Sequence, residues 1–103
     1  MKLETVIKSH LESFPPEARF SVIAFELWGN AREGFDCNDA WKIARDISAD
    51  EVPAVARGRW EVFKVNYLPK ARVSDISDAS CDSEGDILLE VDCVPFLTIR
   101  RAY

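Results

Sequence analysis

At the start of the chain, apolar residues recur with the spacing of one face of an α-helix. Pro15 and Pro16 follow, and proline supplies no amide to a helical ladder and disfavours helix in the residue before it. We therefore predict an amphipathic helix that ends before Pro15, with His10 as a partly buried residue at the edge of its apolar face. The apolar positions are Leu3, Val6, Ile7, Leu11 and Phe14.

Two segments rich in β-forming residues come next, and a turn that contains glycine separates them. Residues 20–28 are apolar at both parities as far as Glu26, which predicts a central strand with a helix covering one face. Residues 29–34 predict a turn and residues 35–44 a second strand, so the two strands form a hairpin. Asp39 falls on the apolar parity of that second strand, which indicates either a β-bulge or a strand that restarts after Asp39.

The middle of the chain predicts a short helix followed by another strand. Ser48 or Asp50 can cap the helix, and Gly58 is a natural residue at which to end it. Residues 60–68 are rich in Val, Phe and Tyr, which favours a strand. A longer helix that runs through Phe63 also fits the spacing of the apolar residues.

The last third of the chain predicts a polar loop and a hairpin. Residues 71–77 predict a short strand, and residues 78–85 a polar loop. Residues 87–91 and 96–100 predict two strands that pair with each other. Together the elements predict an α+β fold in one domain over residues 1–103. It has a single antiparallel sheet of four to six strands, with an N-terminal helix and a second short helix packed on it.

The composition fits a globular domain that does not enter a membrane. The chain has 103 residues, of which 48% are hydrophobic and 30% are charged, and disordered chains are less apolar than this. No apolar run approaches the ~18 residues of a membrane span, and the N-terminal segment lacks the apolar core of a signal peptide. We therefore expect a cytoplasmic protein that makes no contact with a membrane.

Charge is unevenly distributed along the chain, which has a net charge of −5. Residues 73–99 contain seven acidic residues and no Lys or Arg, and a basic stretch lies immediately upstream. This layout is either a solvated surface whose halves neutralise each other or an interaction surface. The net acidity argues against a general nucleic-acid binder. The acidic contact candidates are Asp75, Asp78, Asp82, Glu84 and Asp86, and the phosphate-contact candidates are Arg57, Arg59, Lys64, Lys70 and Arg72.

The residue types needed for metal or covalent chemistry occur in unfavourable patterns. Cys37, Cys81 and Cys93 form no C-x-x-C pair and His10 is the single histidine, which argues against a structural zinc site. An EF-hand register over residues 80–91 lacks the bidentate Glu at its last position. An aspartate precedes Cys37, and neighbouring negative charge raises a thiol pKa, which disfavours a nucleophilic role. We expect no cofactor, no metal and no catalytic site.

Residues 28–39 are a second candidate contact surface. Two glycines and an asparagine supply turn conformations, so the simplest interpretation is a structural hairpin. Aromatic and Arg residues beside amides are also typical of interface hot spots, which makes the same stretch a candidate for partner binding. The candidate residues are Trp28, Arg32, Phe35, Asp36, Asn38 and Asp39.

The segment W-G-N-A-R-E-G-F-D-C-N-D resembles a pattern in small uncharacterised proteins of phages and mobile elements, and the closing P-F-L-T-I-R-R is similar to their C-terminal ends. That family has no established activity. The resemblance therefore implies a phage or plasmid origin, and with it the cytoplasm of a bacterial host, but assigns no functional residue.

Small acidic phage proteins often bind host machinery, and this analogy predicts a non-enzymatic protein-binding module. We expect an inhibitor of a host defence complex, of anti-CRISPR or DNA-mimic type, whose partner is a host protein with a basic groove. Homodimerisation through an open sheet edge also fits the fold. The alternatives are an accessory protein of phage nucleic-acid metabolism that contacts phosphate, and a small cysteine-dependent enzyme.

Overall fold

One antiparallel sheet and two helices make up the secondary structure of the protein in a computed structural model, which describes residues 2–30, 34–67, 76–91 and 94–102. The elements in chain order are α1 (Leu3–Leu11), β1 (Arg19–Asn30), β2 (Gly34–Ser48), α2 (Val52–Tyr67), β3 (Asp78–Cys81), β4 (Ile87–Val91) and β5 (Val94–Ala102). Within the described ranges the sheet has five strands in the order β2-β1-β5-β4-β3, and all neighbours are antiparallel. The predicted α+β fold is confirmed.

The hydrophobic core lies between the helices and one face of the sheet. Both helices contribute buried side chains to the same cluster as the strands. Val22, Ile99 and Ile87 lie opposite one another on β1, β5 and β4, and all three are buried. β2 and β3 form the two edges of the sheet. In the sequence, α2 lies between these two strands, so it connects one edge to the other across the face that the helices cover.

α1 confirms the predicted amphipathic helix. Leu3, Ile7 and Leu11 are buried, as their spacing of four residues requires. The helix ends at Leu11, and the Phe14 amide donates to the Leu11 carbonyl in the turn that leads into the two prolines. The Phe14 ring packs edge-on against Phe20 of β1, with the ring centroids 5.3 Å apart, and this contact docks the end of the helix on the sheet.

β1 and β2 confirm the predicted hairpin and explain its irregularity at Asp39. Glu26 pairs with Asp39 and Leu27 pairs with Cys37, so Asn38 is the extra residue of a β-bulge. A further register shift accompanies Asp46, which has a φ of 52° in the left-handed region that Asp tolerates better than most residues. Because bulges twist an edge strand, they hinder its pairing with another chain.

α2 corrects the prediction of a strand over residues 60–68, because residues as far as Tyr67 continue the helix. The helix has 16 residues, so the alternative of a longer helix that runs through Phe63 is confirmed in place of the favoured short helix. Trp60 and Phe63 are fully buried and pack against Phe96 of β5, with ring centroids 5.2 and 5.1 Å from the Phe96 centroid. Burial of these rings at helical spacing outweighs the preference of Val, Phe and Tyr for strands.

Gly58 lies in the interior of α2 and does not end it, contrary to the prediction. The residue is exposed, and apart from its chain neighbours and the adjacent helix backbone no described atom lies within 4 Å of the position that a Cβ would take. Glycine therefore provides no close approach at this point, and its flexibility only weakens the helix.

β3 corrects the prediction of a polar loop over residues 78–85, since the first half of that segment is a strand. β4 would otherwise present unpaired amides and carbonyls at the sheet edge, and β3 pairs with them. β4 and β5 confirm the predicted C-terminal hairpin. In the predicted strand over residues 71–77, residues 71–75 lie outside the described residues, and the two that follow are not in a strand.

Candidate functional site

A tight turn between β3 and β4 positions the acidic residues at one edge of the sheet. Asp82 organises this turn, because its Oδ1 accepts hydrogen bonds from the Glu84 amide at 2.8 Å and the Asp86 amide at 3.0 Å. Gly85 has a φ of 87°, a conformation that favours glycine. Asp82 is therefore a turn-forming residue as well as an exposed charge.

Asp86 points away from solvent and is paired with a base. Its side chain is 8% exposed, and its Oδ2 accepts a hydrogen bond from Arg100 Nε at 2.7 Å. The hydrogen bond from Arg100 to Asp86 raises the pKa of the guanidinium above its usual value. Because Arg100 comes from the central strand β5, this ion pair withdraws one predicted contact acid from the surface and neutralises it.

We call the remaining exposed candidates, Asp78, Asp82 and Glu84, the acidic edge. No Lys or Arg occurs in residues 76–91, which form this hairpin. Glu90 is half-buried and lies directly opposite Asp78, so it adds a further carboxylate. Like charges this close together repel one another and give this edge of the sheet a negative potential.

Asp75, the fifth acidic candidate, lies outside the described residues, as does Arg32 of the second candidate surface. The backbone of the other residues of that surface belongs to β1 and β2. Asp39 is exposed there, and its Oδ1 accepts a hydrogen bond from the Ala40 amide at 2.8 Å. The residues placed in these two strands are Trp28, Phe35, Asp36, Asn38 and Asp39.

The two predicted contact surfaces lie at opposite edges of the sheet, one on β2 and the other on β3. With strands about 4.8 Å apart, the four spacings between these edges amount to ~19 Å. A single small patch of a partner therefore contacts one surface or the other, and the two are separate candidates.

Two of the basic residues predicted to contact phosphate are engaged within the molecule. Arg57 Nε donates to Glu4 Oε1 at 2.6 Å, and this hydrogen bond lowers the pKa of Glu4. Arg59 Nη2 donates to the Phe25 carbonyl at 3.0 Å. The Arg59 guanidinium also lies 5.3 Å from the centre of the Trp41 ring, which is a cation–π distance.

Lys64 is likewise paired, with Glu61 one turn earlier on α2, at a distance of 3.3 Å. Lys70 and Arg72 lie outside the described residues. In the described part of the chain, the candidate phosphate contacts are thus already used by carboxylates, a carbonyl and an aromatic ring. The contacts of Arg57, Arg59 and Lys64 therefore favour internal roles over phosphate binding.

The structure also brings together His10 of α1 and Cys81 of β3, a contact that sequence reasoning missed. His10 Nδ1 lies 3.7 Å from Cys81 Sγ, and Cys81 is exposed. Burial of the half-buried His10 ring lowers its pKa, and a hydrogen bond with the Gly85 backbone and the charge of Asp86 act in the opposite direction. The two residues are 71 positions apart, so no motif spacing signals the pair.

A groove of about 520 Å³ lies between α1 and the start of α2. Its polar lining includes Lys8, Glu12 and Asp50, and none of the described residues that line it carries a hydroxyl, thiol or imidazole. Among the residues that the structure describes, no group of three or more His, Cys, Asp or Glu could hold a metal ion. Among the described residues, the acidic edge and the His10–Cys81 pair are therefore the two candidate functional sites.

Comparison with known proteins provides no relative from which a function could be transferred. The chain matches no protein-family model, no curated protein and no solved structure. The resemblance of residues 28–39 to phage and mobile-element proteins therefore stays a prediction. Neither of the described helices is long and apolar enough to cross a membrane.

Proposed function

We propose that the protein is a non-enzymatic binding module that docks on a basic surface of another protein through its acidic edge. The observation that carries this proposal is the exposure of Asp78, Asp82 and Glu84 on one edge hairpin that contains no Lys or Arg. A basic partner would relieve the repulsion among these carboxylates and would be steered toward them before contact.

The internal ion pairs support the choice of the acidic edge over the basic residues. Arg57 and Lys64 already face carboxylates, and the buried Asp86 already has Arg100. The exposed charges of the β3–β4 hairpin itself are all negative, and Arg100 of β5, which also interacts electrostatically with Asp82 and Glu84, is already paired with Asp86. A complementary surface is therefore positive. The partner in this proposal is a host protein with a basic nucleic-acid-binding groove, in which the carboxylates would take the places of phosphates.

The proposal extends to a phage- or mobile-element-encoded inhibitor of a host defence complex, acting in the bacterial cytoplasm, as the resemblance of residues 28–39 suggests. The β1–β2 hairpin would be a second contact, for a part of the partner that reaches the other edge. Pairing of two copies edge to edge is less favourable, because β2 is bulged and β3 has only four residues.

The test compares two triple variants that change the net charge by the same amount. In the edge variant, asparagine at position 82 keeps the side-chain oxygen that accepts the turn hydrogen bonds. This substitution therefore removes the charge and keeps the hydrogen-bond acceptor. The control variant neutralises three exposed acids that lie outside the acidic edge. The edge variant is D78N/D82N/E84Q, and the control variant is E12Q/E17Q/D50N.

Wild type and both variants serve as bait in bacterial lysate at about 0.1 M and about 1 M salt, which shortens the Debye length from ~10 to ~3 Å. A captured protein is identified by mass spectrometry, purified and titrated calorimetrically. Three ion pairs at ~0.5 kcal/mol each predict about tenfold weaker binding for the edge variant and little change for the control. Equal affinities of the two variants, or binding unaffected by salt, would refute the proposal.

A further inference from the structure

His10 and Cys81 form a thiol–imidazole pair that the proposed binding function does not use. Their atoms Nδ1 and Sγ are 3.7 Å apart, a distance at which a thiol hydrogen bond forms. Cys81 is exposed while His10 is half-buried. A reagent in solution can therefore reach the sulfur without displacing the imidazole ring. The pair therefore places a thiol beside a base at a position that small molecules can reach.

Two contacts hold the His10 ring beside the thiol. The ring packs edge-on against Phe14 with the centroids 5.3 Å apart, and the Gly85 backbone hydrogen-bonds it. In the neutral tautomer that carries its hydrogen on Nε2, His10 Nδ1 accepts a hydrogen bond from the Cys81 thiol. A nucleophile, a base and a group that orients the base together activate a cysteine.

The charges around the pair decide how the thiol is activated. The turn beside it carries Asp82, Glu84 and Asp86, and Asp86 is paired with Arg100, which lines the same cavity as Cys81. Arg101 of β5 lies 5.7 Å from the centre of the Phe14 ring, which packs against His10. Carboxylates next to a thiol disfavour a permanent thiolate. Activation therefore requires transfer of the thiol proton to His10 at the moment of attack, which is general-base assistance.

We propose that Cys81 is a base-assisted modification site that forms a mixed disulfide with a low-molecular-weight disulfide. Cys81 gives its proton to His10 Nδ1 as its sulfur attacks one sulfur of the reagent. The S–S bond of the reagent breaks, the new S–S bond to Cys81 forms, and the departing thiolate takes the proton from His10. Because the site uses neither the acidic edge nor a protein partner, it stands or falls independently of the proposed binding function.

The test measures how fast each cysteine of the folded full-length chain is modified by oxidised glutathione, using quenching, digestion and site-resolved mass spectrometry. His10→Phe keeps a ring against Phe14 and removes the base, and His10→Gln removes the base with a polar side chain. A melting curve shows that each variant is folded. We expect the Cys81 rate at pH 7 to fall about tenfold in both variants, toward that of a thiol without a neighbouring base. The rates at Cys37 and Cys93 serve as internal references.

The pH profile separates base assistance from a merely structural role of His10. Because burial holds the pKa of His10 below its ordinary 6.5, its neutral form is already present under mildly acidic conditions. The wild-type rate at Cys81 should therefore level off below neutral pH, whereas the rate in both variants should keep increasing with pH, because only the thiolate then reacts. Variants that react as fast as wild type with the same profile would overturn the proposal, and so would a wild-type rate equal to that of free cysteine.

Discussion

Gly58→Ala is expected to stabilise the protein, and the sign of this effect tests the helix that replaces the predicted strand. Gly58 is exposed inside α2, and an added methyl group would meet no described atom within 4 Å beyond its chain neighbours and the adjacent helix backbone. Alanine at an interior helix position is ~0.5–1 kcal/mol more favourable than glycine, because it loses less backbone entropy on folding. We therefore expect the free energy of unfolding to rise by about 0.8 kcal/mol, a value near the middle of that range.

Urea denaturation followed by circular dichroism measures this change, provided that both proteins show the same slope m. The expected gain corresponds to a rise in Tm of about 3–6 °C for a domain of this length. Gly85→Ala is the matched control, because Gly85 has a φ of 87° and its added Cβ would lie 3.6 Å from Phe14 Cζ, an ordinary contact distance. Its backbone strain alone should therefore cost ~1–2 kcal/mol.

The opposite sign at Gly58 would refute the reasoning. If Gly58 ended a short helix in a left-handed conformation, as the sequence pattern suggests, alanine there would destabilise the protein by ~1 kcal/mol or more. A lower free energy of unfolding for Gly58→Ala would thus contradict the continuous α2. Stabilisation by Gly85→Ala would contradict the conformation of the β3–β4 turn.

Three further perturbations test the turn, the core and a surface ion pair. Asp82→Ala removes the acceptor of two turn amides and should lower the free energy of unfolding by ~1–2 kcal/mol. Asp82→Asn keeps an acceptor, so its loss in the same denaturation assay should be less than half as large. Equal losses for the two variants would show that the charge of Asp82 matters instead of its hydrogen bonds. Trp60→Ala leaves a cavity in the core and should lower the free energy of unfolding by ~3–5 kcal/mol in the same assay. Val65→Ala, at a position 72% exposed, should change that free energy by no more than ~0.5 kcal/mol. Similar losses for the two variants would contradict the packing of Trp60. Because Arg57 holds the pKa of Glu4 below its ordinary 4.5, the ion pair stabilises the fold above that pH and loses its effect as the pH falls through the folded pKa. The small stability deficit of Glu4→Gln should therefore vanish in denaturation curves below that pKa, and a deficit that persists there would rule out the ion pair as its cause.

Elements whose pattern is set by their own residues agree with the sequence predictions. In α1, the buried residues are four positions apart, and a helix is the conformation that places all of them on one buried face. The two prolines that follow prevent the helix from continuing. The irregularity at Asp39 was visible because one extra residue reverses the parity of every side chain beyond it, and the structure places that residue at Asn38. Period and parity are local quantities, so the sequence alone contains them.

The strand favoured over residues 60–68 and the loop predicted over residues 78–85 were wrong because the conformation of each segment depends on a distant partner. Residues 60–68 have strand-forming composition, yet Trp60 finds its place against Phe96 of β5, and only a helix brings Phe63 to the same ring. The polar residues of β3 have little reason to form a strand in isolation, but the unpaired edge of β4 provides the hydrogen bonds that order them. Tertiary contacts decide both cases against weak local preferences.

The candidate sites show the same division. The sequence by itself determined that one stretch of the chain is strongly acidic and that zinc-ligand spacing is missing, because composition and spacing can be read directly from it. Only the tertiary structure decided that Asp86 is buried against Arg100 while Asp82 and Glu84 remain exposed. It alone joined His10 to Cys81 across 71 positions, because such contacts form when separate elements dock, and no local period or spacing specifies which residues then meet.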